Sequence, residues 1–151
     1  MNELKMKVYQ AAIASLKTKS ELLSQERIKI IESILEEEKN SAGDKYETSR
    51  EMITQDLNSL EKQIQQNKND LEELYRLFSI KDTPTSVQEG ALVKLGTDWF
   101  LIAVSVGKIN TEGISVFLMS KNSPLGSLLI GKKKSDPVDF RGKTQRIEEL
   151  F

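Results

Sequence analysis

Apolar residues fall on a helical lattice in the first half of the chain and on shorter, strand-like runs in the second. From Lys5 to Lys39 there is no Gly and no Pro, and strong helix formers dominate. Ile13, Leu16, Leu23, Ile30 and Ile34 stand at alternating intervals of three and four residues, with Ser20, Arg27 and Glu37 filling the same lattice. Leu22, Ile28, Ile31 and Leu35 widen the stripe on one side. A second run, Ser49 to about Phe78, repeats the spacing through Ile53, Leu57, Leu60, Ile64, Asn67, Leu71, Leu74 and Phe78. Sustained over more than three heptads, this spacing predicts a coiled-coil seam.

The two stripes match when laid antiparallel with partner numbers summing to 87. Ile34 then faces Ile53, Ile30 faces Leu57, Leu23 faces Ile64, Leu16 faces Leu71 and Ile13 faces Leu74. The polar positions pair too, Ser20 with Asn67 and Glu37 with Arg50, while the Arg27 stem covers Leu60. A heptad shift would break the Ser20–Asn67 match and leave a buried amide unpaired, at roughly 1–3 kcal/mol. The midpoint of this register lies between Gly43 and Asp44, beside the one glycine of the first half. The expectation is an antiparallel helical hairpin over residues 1–80 with its tip near 40–48, each arm of about 35 residues being on the order of 50 Å long. A bundle or a parallel dimer is the alternative use of the same lattice.

The helical pattern stops at Ile80-Lys-Asp-Thr-Pro-Thr-Ser86, because Pro84 cannot continue a helix, and residues 81–87 read as a linker. Residues 88–151 then read as a small α+β domain, an antiparallel sheet around one short helix. Strands are expected at Ala91–Leu95, Trp99–Val106, Ile114–Met119, Val138–Phe140 and Thr144–Glu148. Ser123 is the expected N-cap of a helix over Leu125–Ile130, with Pro124 at its first position and Gly131 as its stop. Trp99 and Phe100 are adjacent in a strand, so their side chains face opposite ways.

Composition narrows the chemistry. The chain has 151 residues, 30% of them charged, and a net charge of −1, so no overall field favours nucleic acid or an anionic membrane. It has no Cys and no His, which removes thiol nucleophiles, disulfides, imidazole acid–base chemistry and the commonest transition-metal ligands. A metal here must be held by oxygen, which points to hard cations such as Mg²⁺. No apolar run approaches a membrane span and the N-terminus lacks a signal-peptide core, so the expected location is the cytoplasm.

Two clusters are candidates for function. Asp44 and Glu47 lie three residues apart, on one face of a helix that starts near Asp44. Asp-x-x-Glu is also an ordinary capping box. Spacing alone favours the cap, and position at the far end of a two-helix arm favours a role toward a partner. Lys132-Lys133-Lys134 is the other, a basic cluster that reads either as a contact for an acidic partner or as a solvated loop.

A long antiparallel coiled coil with Gly43-Asp44-x-x-Glu47 at its tip, then a linker and a small sheet domain, resembles the bacterial Gre transcript-cleavage elongation factors. The stretch Ile114-Ser-Val and Asn122-Ser-Pro-Leu-Gly-Ser-Leu-Leu-Ile-Gly-Lys132 is similar to that family's strand, Ser-Pro helix and Ile-Gly-Lys segment. Lys134-Ser-Asp-Pro-Val138 is similar to its Gly-Asp-x-Val continuation. The resemblance implies an FKBP-like fold for 88–151 that docks at the rim of the RNA polymerase secondary channel, with Ser123, Pro124, Lys132 and Lys133 as candidate contacts. It implies a coiled coil that enters the channel as a monomer and meets the transcript RNA 3′ end. Asp44 and Glu47 would help hold a second Mg²⁺ shared with the polymerase, so that the protein stimulates RNA hydrolysis without being an enzyme alone. Lys45 and Tyr46 stand inside the acidic motif and Thr48 follows it, where the family reads Asp-Leu-x-Glu-Asn. A non-catalytic regulator of the same channel is therefore the alternative, and a coiled-coil adaptor for an unrelated partner is the third reading.

Overall fold

Two long helices and a six-stranded sheet make up the computed structural model, which describes residues 2–39 and 44–151, with the side chains of 44–48 outside the description. Helix α1 runs Glu3–Lys39 and α2 runs Asp44–Phe78, followed by strands β1 (Leu92–Leu95), β2 (Asp98–Ile102), β3 (Gly107–Thr111) and β4 (Ile114–Met119). Helix α3 (Pro124–Leu129) and strands β5 (Pro137–Phe140) and β6 (Lys143–Leu150) complete the α+β fold. Among the described residues no helix is long and apolar enough to cross a membrane. The tip expected at 40–48 falls outside the described residues, except that the backbone of 44–48 forms the start of α2. The chain packs as two compact units, residues 15–71 and residues 1–14 with 72–151.

Within residues 15–71 the seam lies where the lattice places it. Leu16, Leu23, Leu60 and Asn67 are buried, and Ile30, Ile34, Ile53, Leu57, Ile64 and Leu71 are half-buried. The expected widening of the stripe does not follow: Leu22 is 60% exposed, Ile28 and Leu35 are exposed as well, and only Ile31 is half-buried. A single partner helix covers a narrow seam, whereas a wide stripe needs a third element.

The contacts across the seam differ in detail from the expected pairs. Ser20 is exposed, and the Asn67 Nδ2 amide donates instead to the Leu16 carbonyl at 3.0 Å. A helix carbonyl points toward the C-terminus, so the Leu16 oxygen stands part of the way to the level of Ser20, within an amide's reach. Arg27 extends outward to Glu61, Nε to Oε1 at 2.5 Å, while Leu60 beside it is buried. Arg50 pairs with Glu38 at 3.4 Å, one residue beyond the expected Glu37. Leu16–Asn67, Arg27–Glu61 and Glu38–Arg50 run in opposite senses along the two helices.

In the other unit the strand order is β3-β4-β2-β1-β6-β5. The sheet is mixed, not antiparallel as expected, since β2 pairs with β4 in parallel, Trp99 opposite Val116 through Ile102 opposite Met119. The cause is a strand hidden in the sequence. Gly107-Lys-Ile-Asn-Thr111 has one apolar side chain and reads as loop, yet it forms edge strand β3 and turns through Glu112-Gly113 into β4. Inserting β3 between β2 and β4 reverses the chain once more, so β2 and β4 run the same way. The expected strand through Val106 accordingly ends at Ile102.

One face of the sheet packs on α3, burying Val93, Leu95, Ile102, Leu125, Leu129, Val138 and Ile147 together. The opposite face carries the buried Leu92, Leu101, Ile109, Val116 and Leu118, and the bases of α1 and α2 in the same unit bury Val8, Tyr9, Ala12, Leu74 and Leu77. The Tyr9 hydroxyl donates to the Gly90 carbonyl at 2.9 Å and its ring meets Phe78 edge-on at 5.3 Å. Burial pushes the Tyr9 phenol well above its ordinary pKa. Gly90 has φ +87°, and a Cβ there would sit 3.1 Å from the Tyr9 hydroxyl, so the turn needs glycine for both conformation and space.

Candidate functional site

Asp44 opens α2, and Glu47 follows within its first turn. Their side chains lie outside the described residues. Nearby, Ser33, Glu36, Glu37 and Ile53 line a cavity of about 460 Å³ with mainly polar walls. Among the described residues no group of three or more acids is placed to hold a metal ion. Asp44 and Glu47 supply hard oxygen donors suited to Mg²⁺, but two carboxylates are too few to hold that ion unaided.

Ser123 and Pro124 begin α3 as their types dictate. Ser123 is extended (φ −66°, ψ 159°), its Oγ accepts from the Gly126 N–H at 3.1 Å, and Pro124 takes the position where a missing N–H costs nothing. The Ser123 hydroxyl also donates to the Ser120 carbonyl at 2.7 Å. The hydroxyl is thus committed to the cap, and the exposed Pro124 ring is the part that faces outward. Gly126 is required by closeness: a Cβ would lie 2.7 Å from Ser123 Oγ and closer still to the Ser120 carbonyl oxygen.

The basic cluster is a strap as well as a charge. Val87 donates from its N–H to the Lys132 carbonyl at 2.7 Å and accepts from the Gly131 N–H at 2.9 Å, which ties the end of the linker to the α3–β5 loop. The Lys133 N–H donates to Asp136 Oδ2 at 2.8 Å, and Lys134 pairs with Glu149 at 3.6 Å. The side chains of Lys132 and Lys133 are exposed and make no ion pair among the described residues.

Beside Pro124 lies a feature that the sequence did not announce. Phe100, Phe117, Met119, Pro124, Leu125 and Phe140 line an open, largely apolar cavity of about 370 Å³, with Ser123 and Arg141 at its edge. Phe100 and Phe117 are opposite each other on β2 and β4, with ring centroids 5.9 Å apart. Phe140 comes from β5, beyond β1 and β6 in strand order, so the sheet curves around α3 to bring it to the same cavity. Phe100 is thus the cavity-lining member of the adjacent aromatic pair. Trp99 lies on the other face, stacked on Phe151 at 6.3 Å with the Lys94 ammonium 5.6 Å from its ring. The period-2 spacing of Phe117 with Met119 was the available signal. It stayed hidden because β3 and the curvature that closes the cavity leave no local trace. Compared with known proteins, the chain matches no protein-family model and no curated relative.

Proposed function

We propose that this protein is a transcription elongation factor of the Gre type, which binds RNA polymerase through its secondary channel and stimulates hydrolysis of backtracked RNA. In this reading residues 1–80 form a coiled-coil hairpin and 88–151 an FKBP-like domain that docks at the channel rim through Pro124, with Ser123 holding the loop in shape and Lys132 and Lys133 contributing charge. Asp44 and Glu47 offer carboxylate oxygens to a Mg²⁺ held mainly by the polymerase, where such an ion lowers the pKa of a bound water. The chain's own part is positional, since an acid pair on a helix end brings the charge without a flexible stem to order. The reading is carried by one observation. Asp44 and Glu47 open a helix whose seam runs in the opposite sense to α1, in a chain whose Ser123-Pro124 segment caps a short helix against a sheet.

The test is transcript cleavage by purified polymerase in stalled complexes. Added protein should shorten the RNA from its 3′ end, and the double change Asp44→Ala, Glu47→Ala should abolish shortening while polymerase binding persists. Cleavage undiminished in that double variant removes the role given to these acids. Lys45 and Tyr46 within the acidic motif favour a second reading, a non-catalytic regulator of the same channel. The same assay decides it, because a regulator binds polymerase and yields no shortened RNA at any Mg²⁺ concentration. An adaptor for another partner would fail to bind polymerase at all.

A further inference from the structure

We propose that the aromatic cavity between α3 and the sheet receives a large apolar side chain, phenylalanine or leucine, carried on an acidic segment of a partner protein. The proposal rests on the docking role given above to Pro124 and specifies what docks there. Three observations lead to it.

The first is shape and lining. At about 370 Å³ the cavity falls within the roughly 300–1,000 Å³ typical of ligand sites. Its walls are aromatic and aliphatic, and Phe117 remains 39% exposed although it sits in the middle of β4. An aromatic side chain exposed on a sheet face beside two other phenylalanines has apolar area still to bury.

The second is charge. Arg141 lies over the Phe140 ring, its guanidinium carbon 4.9 Å from the centroid. Lys108 stands directly opposite Phe117 on β3, and Lys143 directly opposite Phe140 on β6. Cross-strand partners share a face, so three cations surround the apolar walls. None of the three makes an ion pair among the described residues. Against them the described part of this face carries Asp98, two residues before Phe100. A segment bearing acids on both sides of its apolar residue complements this arrangement, and a basic or neutral one does not.

The third is the conformation of Arg141. It has φ +53° and Gly142 has φ +76°, the mirror-image turn that joins two strands in a tight hairpin. Asn or Gly suits such a position better than Arg. The turn thereby holds a guanidinium at the cavity's edge in a place where local preference would not put one.

The experiment uses the full chain and three fluorescently labelled octapeptides. The probe is Asp-Glu-Asp-Phe-Leu-Asp-Glu-Asp. One control replaces each acid by Lys, and the other replaces Phe-Leu by Ser-Ser. Anisotropy should rise saturably with the probe and with neither control. Phe117→Ser, Lys108→Glu and Arg141→Glu should each weaken probe binding about ten-fold, whereas Lys94→Glu on the opposite face should not. Thermal melts establish that each variant is folded, and a variant that fails this check is replaced by Lys143→Glu. Equal binding of all three peptides, or charge reversals without effect, overturns the proposal.

Polymerase binding by the same variants separates the two readings. If Phe117→Ser and Lys108→Glu lose both peptide and polymerase, the cavity is the docking point. If they lose peptide and keep polymerase, the cavity takes the acidic apolar segment of another partner, and the docking role given to Pro124 falls while the elongation-factor reading stands. If the wild-type chain binds the probe with the expected variant pattern but never binds polymerase, the cavity stands and the elongation-factor reading falls.

Discussion

Asn67 concentrates the conflict between stability and specificity in one side chain. It is 97% buried in an apolar seam, its Nδ2 satisfied by the Leu16 carbonyl and its Oδ1 without a hydrogen-bond partner among the described residues. A buried acceptor left unpaired costs about 1–3 kcal/mol, so Asn67→Leu should stabilise the helical unit by an amount in that range. The same change removes the cross-seam hydrogen bond to the Leu16 carbonyl, which ties α2 to α1 at that level. Urea denaturation followed by helical circular dichroism should show a higher midpoint for Asn67→Leu. Spin labels at positions 27 and 61, where Arg27 and Glu61 meet, should report a broader distance distribution. A lower midpoint would mean that Oδ1 is paired in solution and that the amide contributes net stability.

At the scale of elements, the two helices were legible because each carries its own signal along its length. Leu60 is 3% exposed and Leu22 is 60% exposed, although both are leucines in long amphipathic runs. Leu60→Ala should therefore cost about 2–4 kcal/mol through lost burial and a cavity, and Leu22→Ala should fall within about 0.5 kcal/mol of neutral. Comparable losses from the two, measured by urea denaturation, would show that the seam is wider than a two-helix contact. The heptads located the seam residues, and Ser-Pro located α3 to within a residue at its start. The partners across the seam were less legible, because Arg27 and Asn67 had an outward acid and a backbone carbonyl as better options than the facing side chain. Strand β3 was missed for a related reason. An edge strand draws its order from ladder bonds to β4, and its mostly polar sequence carries little of that information. The cavity went unseen with it, since its walls come from residues up to forty positions apart brought together by curvature.

At the scale of the whole molecule, two titratable groups near the start of α1 give the fold opposite responses to alkali. Tyr9 has its phenol pKa raised by burial, so its contribution is fully present below the unfolded value of about 10 and is lost as pH rises above it. In that range the unfolded chain releases a proton that the folded chain retains, at up to about 1.4 kcal/mol per pH unit. Lys5 is 6% exposed, and burial lowers its ammonium pKa. Here the unfolded chain holds a proton that the folded chain has already released, so stability rises with pH through the window below about 10.4. Urea midpoints measured from pH 7 to 11 should separate the two. Tyr9→Phe should lower stability at pH 7 by about 1 kcal/mol, because the Gly90 carbonyl loses its donor. The same variant should lose less stability than the wild type as pH climbs past 10. Lys5→Met should raise stability at pH 7 and flatten the rise below 10. Should Tyr9→Phe fall as steeply as the wild type above pH 10, the alkaline loss belongs to other groups, and the hydroxyl is titrating in contact with water instead of against the Gly90 carbonyl.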